Sequence, residues 1–189
     1  MDKRRWLGAV IFALLIALGA RLSFALPGTD IPQSGQTMMV VLAGGVLGFN
    51  AASAAILLYL LAGSAGLPVF ADGTSGAGVL FGPSGGYLLG FWLAAALIGV
   101  WRDSGWLQRT WWTALLAMLV GHLIILGVGA GLLSASIGLK AAWFNGVQPF
   151  LVGALVKSVL AAVLLPLVLR FGPWADGGLQ YGQGTEQNR

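Results

Sequence analysis

From Thr37 to Gly66 the chain runs for 30 residues almost without a polar side chain. A single helix over this run would be ~45 Å long at 1.5 Å per residue, too long for a hydrocarbon core of ~30 Å. Gly48-Phe49-Asn50 sits near its middle, so the run reads as two shorter helices joined tightly there. The rest of the chain offers no polar shell that could keep such a run in water. Charged residues are 8% of the total, hydrophobic residues 58%, and the mean hydropathy is +0.87. Soluble domains carry roughly a quarter of their residues charged. The expectation is therefore an integral membrane protein with one membrane domain.

The remaining apolar segments fall into place around that run. MDKRR (Met1–Arg5) is a basic start, followed by an apolar stretch from Trp6 to Ala20 that resumes after Arg21 and reaches Leu26. A basic start and an apolar run also describe a signal peptide, but the length to Leu26 spans a bilayer, and a retained first helix is expected. A turn-rich connection, residues 27–36, precedes the long run. A fourth helix is expected over about Gly85 to Val100, a fifth over about Thr110 to Ala130, and a sixth from Pro149, tolerated in a first turn, to Arg170. Residues 132–148 read as mixed. The prediction is an all-α membrane protein, with six transmembrane helices in residues 1–170 and a flexible tail over 171–189, polar and glycine-rich.

Charge then orients the helices. Lys3, Arg4 and Arg5, then Arg102 and Arg109, then Arg170 all fall on one side of an even number of crossings, and the opposite loops carry only Lys140. The positive-inside rule places both termini in the cytoplasm. The net charge of +4 thus reports topology rather than nucleic-acid binding, and a chain without cysteine has no disulfide or thiol chemistry.

On the external side lies the least regular stretch, Gly66 to Phe91, with two prolines and eight glycines. That density excludes a regular helix over most of it. Long irregular loops in compact domains are usually functional or disordered, and Val69, Phe70, Leu80 and Phe81 supply apolar anchors against disorder. The stretch reads as an ordered loop that closes over or lines a site and enters a helix near Gly85-Gly86-Tyr87.

Few residues could carry chemistry. Lys157 lies eight residues into the sixth helix, ~12 Å below its outer end. An intramembrane cation at that depth points to function, and an anionic group entering from outside, such as a carboxylate, suits it; snorkelling to the interface is the bland account. Arg21, near the outer end of the first helix, is expected to snorkel or pack against a loop. Asp72 reads equally as a solvated loop residue and as a ligand contact. His122, the lone histidine, reads as a hydrogen-bonded packing residue. The tryptophans and tyrosines are mostly interface anchors, but Tyr87 is placed to line a cavity. Ala9, Ala13 and Ala17 recur every four residues, a spacing that permits close helix approach in lipid, inside the chain or to a partner. There is no HExxH, GxSxG or paired intramembrane acid, and GPSGGY lacks the Lys-Ser/Thr of a phosphate loop.

GLPVFADG (66–73) followed by GPSGGYLLGF (82–91) is similar to the signature of the BioY family, the biotin-specific substrate-binding (S) components of energy-coupling factor (ECF) transporters. Members typically read GLPVFA-G and then GPTGGYL-GF; Ser84 keeps the hydroxyl of the usual threonine. GQTMMVVLAGGVLG (Gly35–Gly48) resembles the family's Gln-Thr segment. GLKAAWFNGVQPFLVGALVK (Gly138–Lys157) resembles the segment that usually ends PF-x-x-GD-x-x-K, with Gly153 and Lys157 matching and Ala154 in the aspartate's place. The resemblance covers nearly the whole chain except the tail.

It implies the ECF S-component fold and an external biotin pocket formed mainly by helices 4 to 6 and the loops over them. The residues assigned to that pocket are Phe70, Asp72, Gly73, Ser84, Gly85, Gly86, Tyr87, Phe91, Asn145 and Lys157. It also implies docking of Ala9, Ala13 and Ala17 on a membrane T component driven by two cytoplasmic ATPases, although some members are thought to work alone, with a homo-oligomer as the corresponding expectation. Biotin is then substrate, no cofactor or metal is expected, and the location is the cell membrane. With Ala154, Lys157 lacks the family's carboxylate, so the ligand or Asp72 compensates or biotin binds differently. Two other readings stay open: an S component for another vitamin, and a small intramembrane enzyme acting on lipid or isoprenoid substrates.

Overall fold

The computed structural model describes residues 1–24 and 31–171. Residues 172–189 of the flexible tail expected over 171–189, and residues 27–30 of the connection before the long apolar run, lie outside them. In chain order the elements are α1 (Lys3–Arg21), β1 (Ser23–Phe24), β2 (Gln33–Ser34), α2 (Gln36–Ser64), α3 (Gly85–Asp103), α4 (Trp111–Ile137), α5 (Leu139–Gly146) and α6 (Leu151–Phe171).

Helix α1 starts where the Asp2 carboxylate accepts the Arg5 backbone N–H at 2.9 Å, a side-chain N-cap. It ends at Arg21, five residues before the expected Leu26. The chain turns there into a two-residue antiparallel pairing, Ser23 with Ser34 and Phe24 with Gln33. The Gly35 N–H then donates to two carbonyls at the end of α1, Gly19 at 3.0 Å and Leu22 at 3.1 Å. A side chain at Gly19 would meet the Gln36 nitrogen and the Gly35 carbonyl carbon at 3.0 Å. Tertiary closure of the helix end overrides the apolar pattern that predicted a longer helix.

The long run forms α2, broken at Gly48, whose φ of 77° and ψ of 176° lie outside helical space. Gln36 and Tyr59, one on each side of the break, are hydrogen-bonded to each other. In a straight helix they would stand ~35 Å apart, so the chain folds back at Gly48 as expected. The second half is capped from another element: the Asp103 carboxylate at the end of α3 accepts the Phe49 N–H at 2.9 Å.

The two halves of α2 form the centre of the molecule, packed against α1, α3, α4 and α6. In their most apolar window 72% of the residues are buried, against 22% for the span that includes α6. Close approach is made at glycines. A side chain at Gly90 would meet the Ile125 backbone at 2.9 Å, and one at Gly121 would meet Ile98 at 2.6 Å. Helix α6 turns Val152, Leu155, Val156 and Val163 outward, each more than half exposed. Four spans, Gln36–Ser64, Gly85–Asp103, Trp111–Ile137 and Leu139–Arg170, are long and apolar enough to cross a membrane. Such outward leucines and valines are stable facing lipid, and the protein is a membrane protein. Helix α4 reaches Ile137 rather than Ala130, and the mixed region beyond it forms the short helix α5.

Candidate binding site

Residues 66–84 are ordered by contacts with three other parts of the chain. Phe70 is buried, its ring edge-on to Tyr59 with centroids 5.5 Å apart, and it occupies the space a side chain at Gly63 would need. Gly63 O accepts the Gly76 N–H at 2.8 Å. Arg21 reaches over from α1 and donates to Pro68 O at 2.8 Å, so it packs against the loop, one of its two expected roles. Asp72 sits at φ 54°, a conformation uncommon for a residue with a side chain. Ser23 holds it there, donating to Oδ1 at 2.6 Å and accepting the Asp72 N–H at 3.3 Å.

Beneath the loop is a cavity of about 380 Å³, within the ~300–1,000 Å³ typical of small-molecule sites. Its walls are largely apolar, from Phe70 and Val79 of the loop, Phe91 of α3, Ile125 of α4 and Phe150 before α6. Tyr87 closes one side. Its hydroxyl donates to Gly146 O at 2.7 Å, and its ring fills the space where a side chain at Gly129 would project.

The polar groups around Lys157 come from α6 and from the entry to α2, while Asp72, Thr74 and Ser84 of the loop and His122 of α4 add polar groups elsewhere on the wall. Lys157 Nζ donates to Ser34 O at 2.7 Å and to Thr37 Oγ1 at 3.1 Å. An ammonium has three donors, so one stays uncommitted among the described residues. Beside it, Ser34 Oγ donates to Gln36 Oε1 at 2.9 Å, and the Gln36 amide donates to the Tyr59 hydroxyl. No described carboxylate lies within ion-pair distance of Lys157. The carbonyl of Ser34 and the hydroxyl of Thr37 therefore hold the ammonium. Asp72 does not hold it directly, although both residues face the cavity.

Of the residues expected at the site, Phe70, Asp72, Ser84, Tyr87, Phe91 and Lys157 line the cavity. Gly73, Gly85, Gly86 and Asn145 do not. Gly73 carries the loop turn at φ 72°. Gly85 lets α3 start directly under the Leu80 carbonyl, and Gly86 faces α4, where an added Cβ would lie 2.9 Å from Leu132. Asn145 lies on α5, half-buried outside the cavity wall. Ala9 is fully buried in the chain's own core, with Ala13 and Ala17 half-buried beside it. The outward face of α1 is instead Leu7, Val10, Leu14 and Leu18.

Among the polar residues missed were Gln33, Ser34, Gln36, Thr37 and His122, all of which line the cavity. Their shared signal is polarity inside or at the edge of an apolar run. For His122 the expected packing role holds at one ring nitrogen only. Nδ1 is 3.0 Å from Met118 O and 2.9 Å from Ser158 Oγ, while Nε2 is buried without a partner.

The BioY family model matches residues 1–173. "Biotin transporter BioY2" of Lactococcus lactis is 38% identical over 83% of this chain and 83% of that protein. "Biotin transporter BioY" of Thermotoga maritima is 36% identical over 85% of this chain and 93% of its own length. A crystal structure described as the S-component for biotin from an ECF-type ABC transporter superposes with a TM-score of 0.83. It is 24% identical and covers 93% of this chain and 97% of that one, a likeness of fold.

Proposed function

The chain belongs to the BioY family, and on that premise we propose that it is a membrane S component that captures biotin from outside and delivers it to the cytoplasm. The observation that carries this reading is the cavity itself, partly covered by an ordered loop, largely apolar along its walls and provided with one lysine. Biotin matches that arrangement: a thiolane ring and an aliphatic chain for the walls, with polar groups at both ends. The relatives named as biotin transporters cover most of this chain. The work is binding and transport, and the chain is not an enzyme.

The crossings number six when α1, both halves of α2, α3, α4 and α6 are counted. The break at Gly48 and the end of α3 at Asp103 meet at one end of the molecule, and the loop, the end of α1 and the cavity lie at the other. With Lys3, Arg4, Arg5 and Arg102 at the first of these ends, the positive-inside rule makes it cytoplasmic, together with both termini, in the plasma membrane. The energy for uphill uptake comes from two cytoplasmic ATPases coupled through a T component. In an assembly without them, further copies of this chain are the partners. Docking through the α1 stripe would use Ala13 and Ala17, since Ala9 is closed off by the chain's own packing.

Isothermal titration of the purified full chain with biotin, thiamin and riboflavin tests the reading. Saturable binding of biotin alone is expected. Binding of another vitamin in its place would reassign the substrate, and binding of none would remove the S-component role.

A further inference from the structure

We propose that the end of α1 positions Lys157 for the ligand, acting through the peptide that joins Ser34 to Gly35. This rests on the biotin reading and deepens it: Gly19 and Gly35 become positioning residues for the ammonium that meets the ligand. Helix α1 itself supplies none of the residues that line the cavity.

Lysine carries its charge on a flexible four-carbon stem, so its acceptors decide where Nζ stands. They are Ser34 O at 2.7 Å and Thr37 Oγ1 at 3.1 Å, and both residues line the cavity. The N–H bonds of an ammonium diverge tetrahedrally. With two of them committed, the direction of the third is set, and that donor is uncommitted among the described residues. A displaced acceptor re-aims it.

The Ser34 carbonyl and the Gly35 N–H belong to one peptide unit. In a planar trans peptide the two groups point to opposite sides. On one side the N–H donates to Gly19 O at 3.0 Å and Leu22 O at 3.1 Å. On the other the carbonyl accepts from Lys157. The end of α1 and the ammonium therefore hold the same rigid plane from opposite edges. Ser34 is fixed further by its pairing with Ser23 and by its hydroxyl, which donates to Gln36 Oε1 at 2.9 Å. The fit against α1 leaves no slack. A Cβ at Gly19 would lie 3.0 Å from Gln36 N and from the Gly35 carbonyl carbon, and one at Gly35 would lie 3.2 Å from Gly19 O. Residues 35 and 36 stand between the two acceptors in the chain, so a side chain at either glycine pushes on the segment that carries both.

Both glycines accept alanine in their backbone conformation. Gly19 is helical, where alanine is the better former, and Gly35 has φ −72° and ψ −10°, open to residues with a side chain. Purified full-length Gly19→Ala and Gly35→Ala are titrated with biotin, each alone and combined with Lys157→Ala. Each should weaken binding about fivefold or more when Lys157 is present and less than about twofold when it is alanine, because changes that act through one contact do not add. Unchanged affinity in both variants overturns the proposal. So does a loss of equal size with and without the lysine, which a merely structural contact would give. Two variants that both fail to fold assign the contact to the fold alone and overturn it as well. In each of these cases biotin binding by the wild type leaves the biotin reading standing, and a wild type that binds no biotin removes both.

Discussion

Lys157 is satisfied by a backbone carbonyl and a hydroxyl, Ser34 O and Thr37 Oγ1. A neutral cradle keeps the cation in place without cancelling its charge, so the charge stays available to an anionic or strongly polar group of the ligand. Lys157→Ala should lower biotin affinity at least tenfold, ~1.4 kcal/mol, when purified wild type and variant are compared by titration. Unchanged affinity would reduce the lysine to a packing role. Tyr87 makes a structural bond from the cavity wall. Tyr87→Phe leaves the Gly146 carbonyl without its donor and should cost about 1 kcal/mol, read as a lower thermal midpoint in detergent. Charges in an apolar chain are legible because lipid tolerates so few of them, which is why Lys157 and Asp72 stood out. Their partners were not legible: Ser34 lies 123 positions from Lys157, and Ser23 lies 49 from Asp72.

Among the elements, α2 shows how a break is specified in sequence yet held from elsewhere. Gly48 can adopt its φ of 77° without the penalty a side chain would bring. The first N–H after it is then capped by Asp103 from the end of α3. Asp103→Ala should destabilise the fold by about 1 kcal/mol, measured as a lower thermal midpoint, with biotin affinity nearly retained because the cap lies at the end away from the cavity. The loop depends on one buried ring. Phe70→Ala removes the contact with Tyr59 and the filling over Gly63. A loss of about 3–5 kcal/mol is typical for such a truncation. Here it should appear as faster proteolysis within residues 66–84 together with weaker biotin binding. If cleavage and affinity both stay at wild-type values, the ring is not what secures the loop. Helix limits were less legible than helix existence. The apolar pattern continues past Arg21, but Gly35 and the short strand pairing stop α1 there.

At the scale of the molecule, the loop and cavity occupy one end and the Asp103 cap the other, and the orientation proposed from the basic residues puts the Asp103 end in the cytoplasm. The chain lacks cysteine, so single introduced thiols report sidedness without background. In intact cells Ser75→Cys should react with a membrane-impermeant maleimide. Ser104→Cys should react only after permeabilisation, since both positions are exposed but at opposite ends. The reverse pattern would invert the topology. The sequence by itself determined the membrane environment, the fold-back at Gly48, an ordered loop before α3 and the presence of a lysine inside the membrane domain. Each of these follows from local composition set against the fixed thickness and low polarity of a bilayer. Only the tertiary structure decided what surrounds that lysine, that Gly86 packs helices rather than lining the cavity, and that His122 is held through Nδ1 by Met118 and Ser158. Those outcomes depend on which distant residues meet in space, and an apolar run has the same local pattern whichever neighbour it faces.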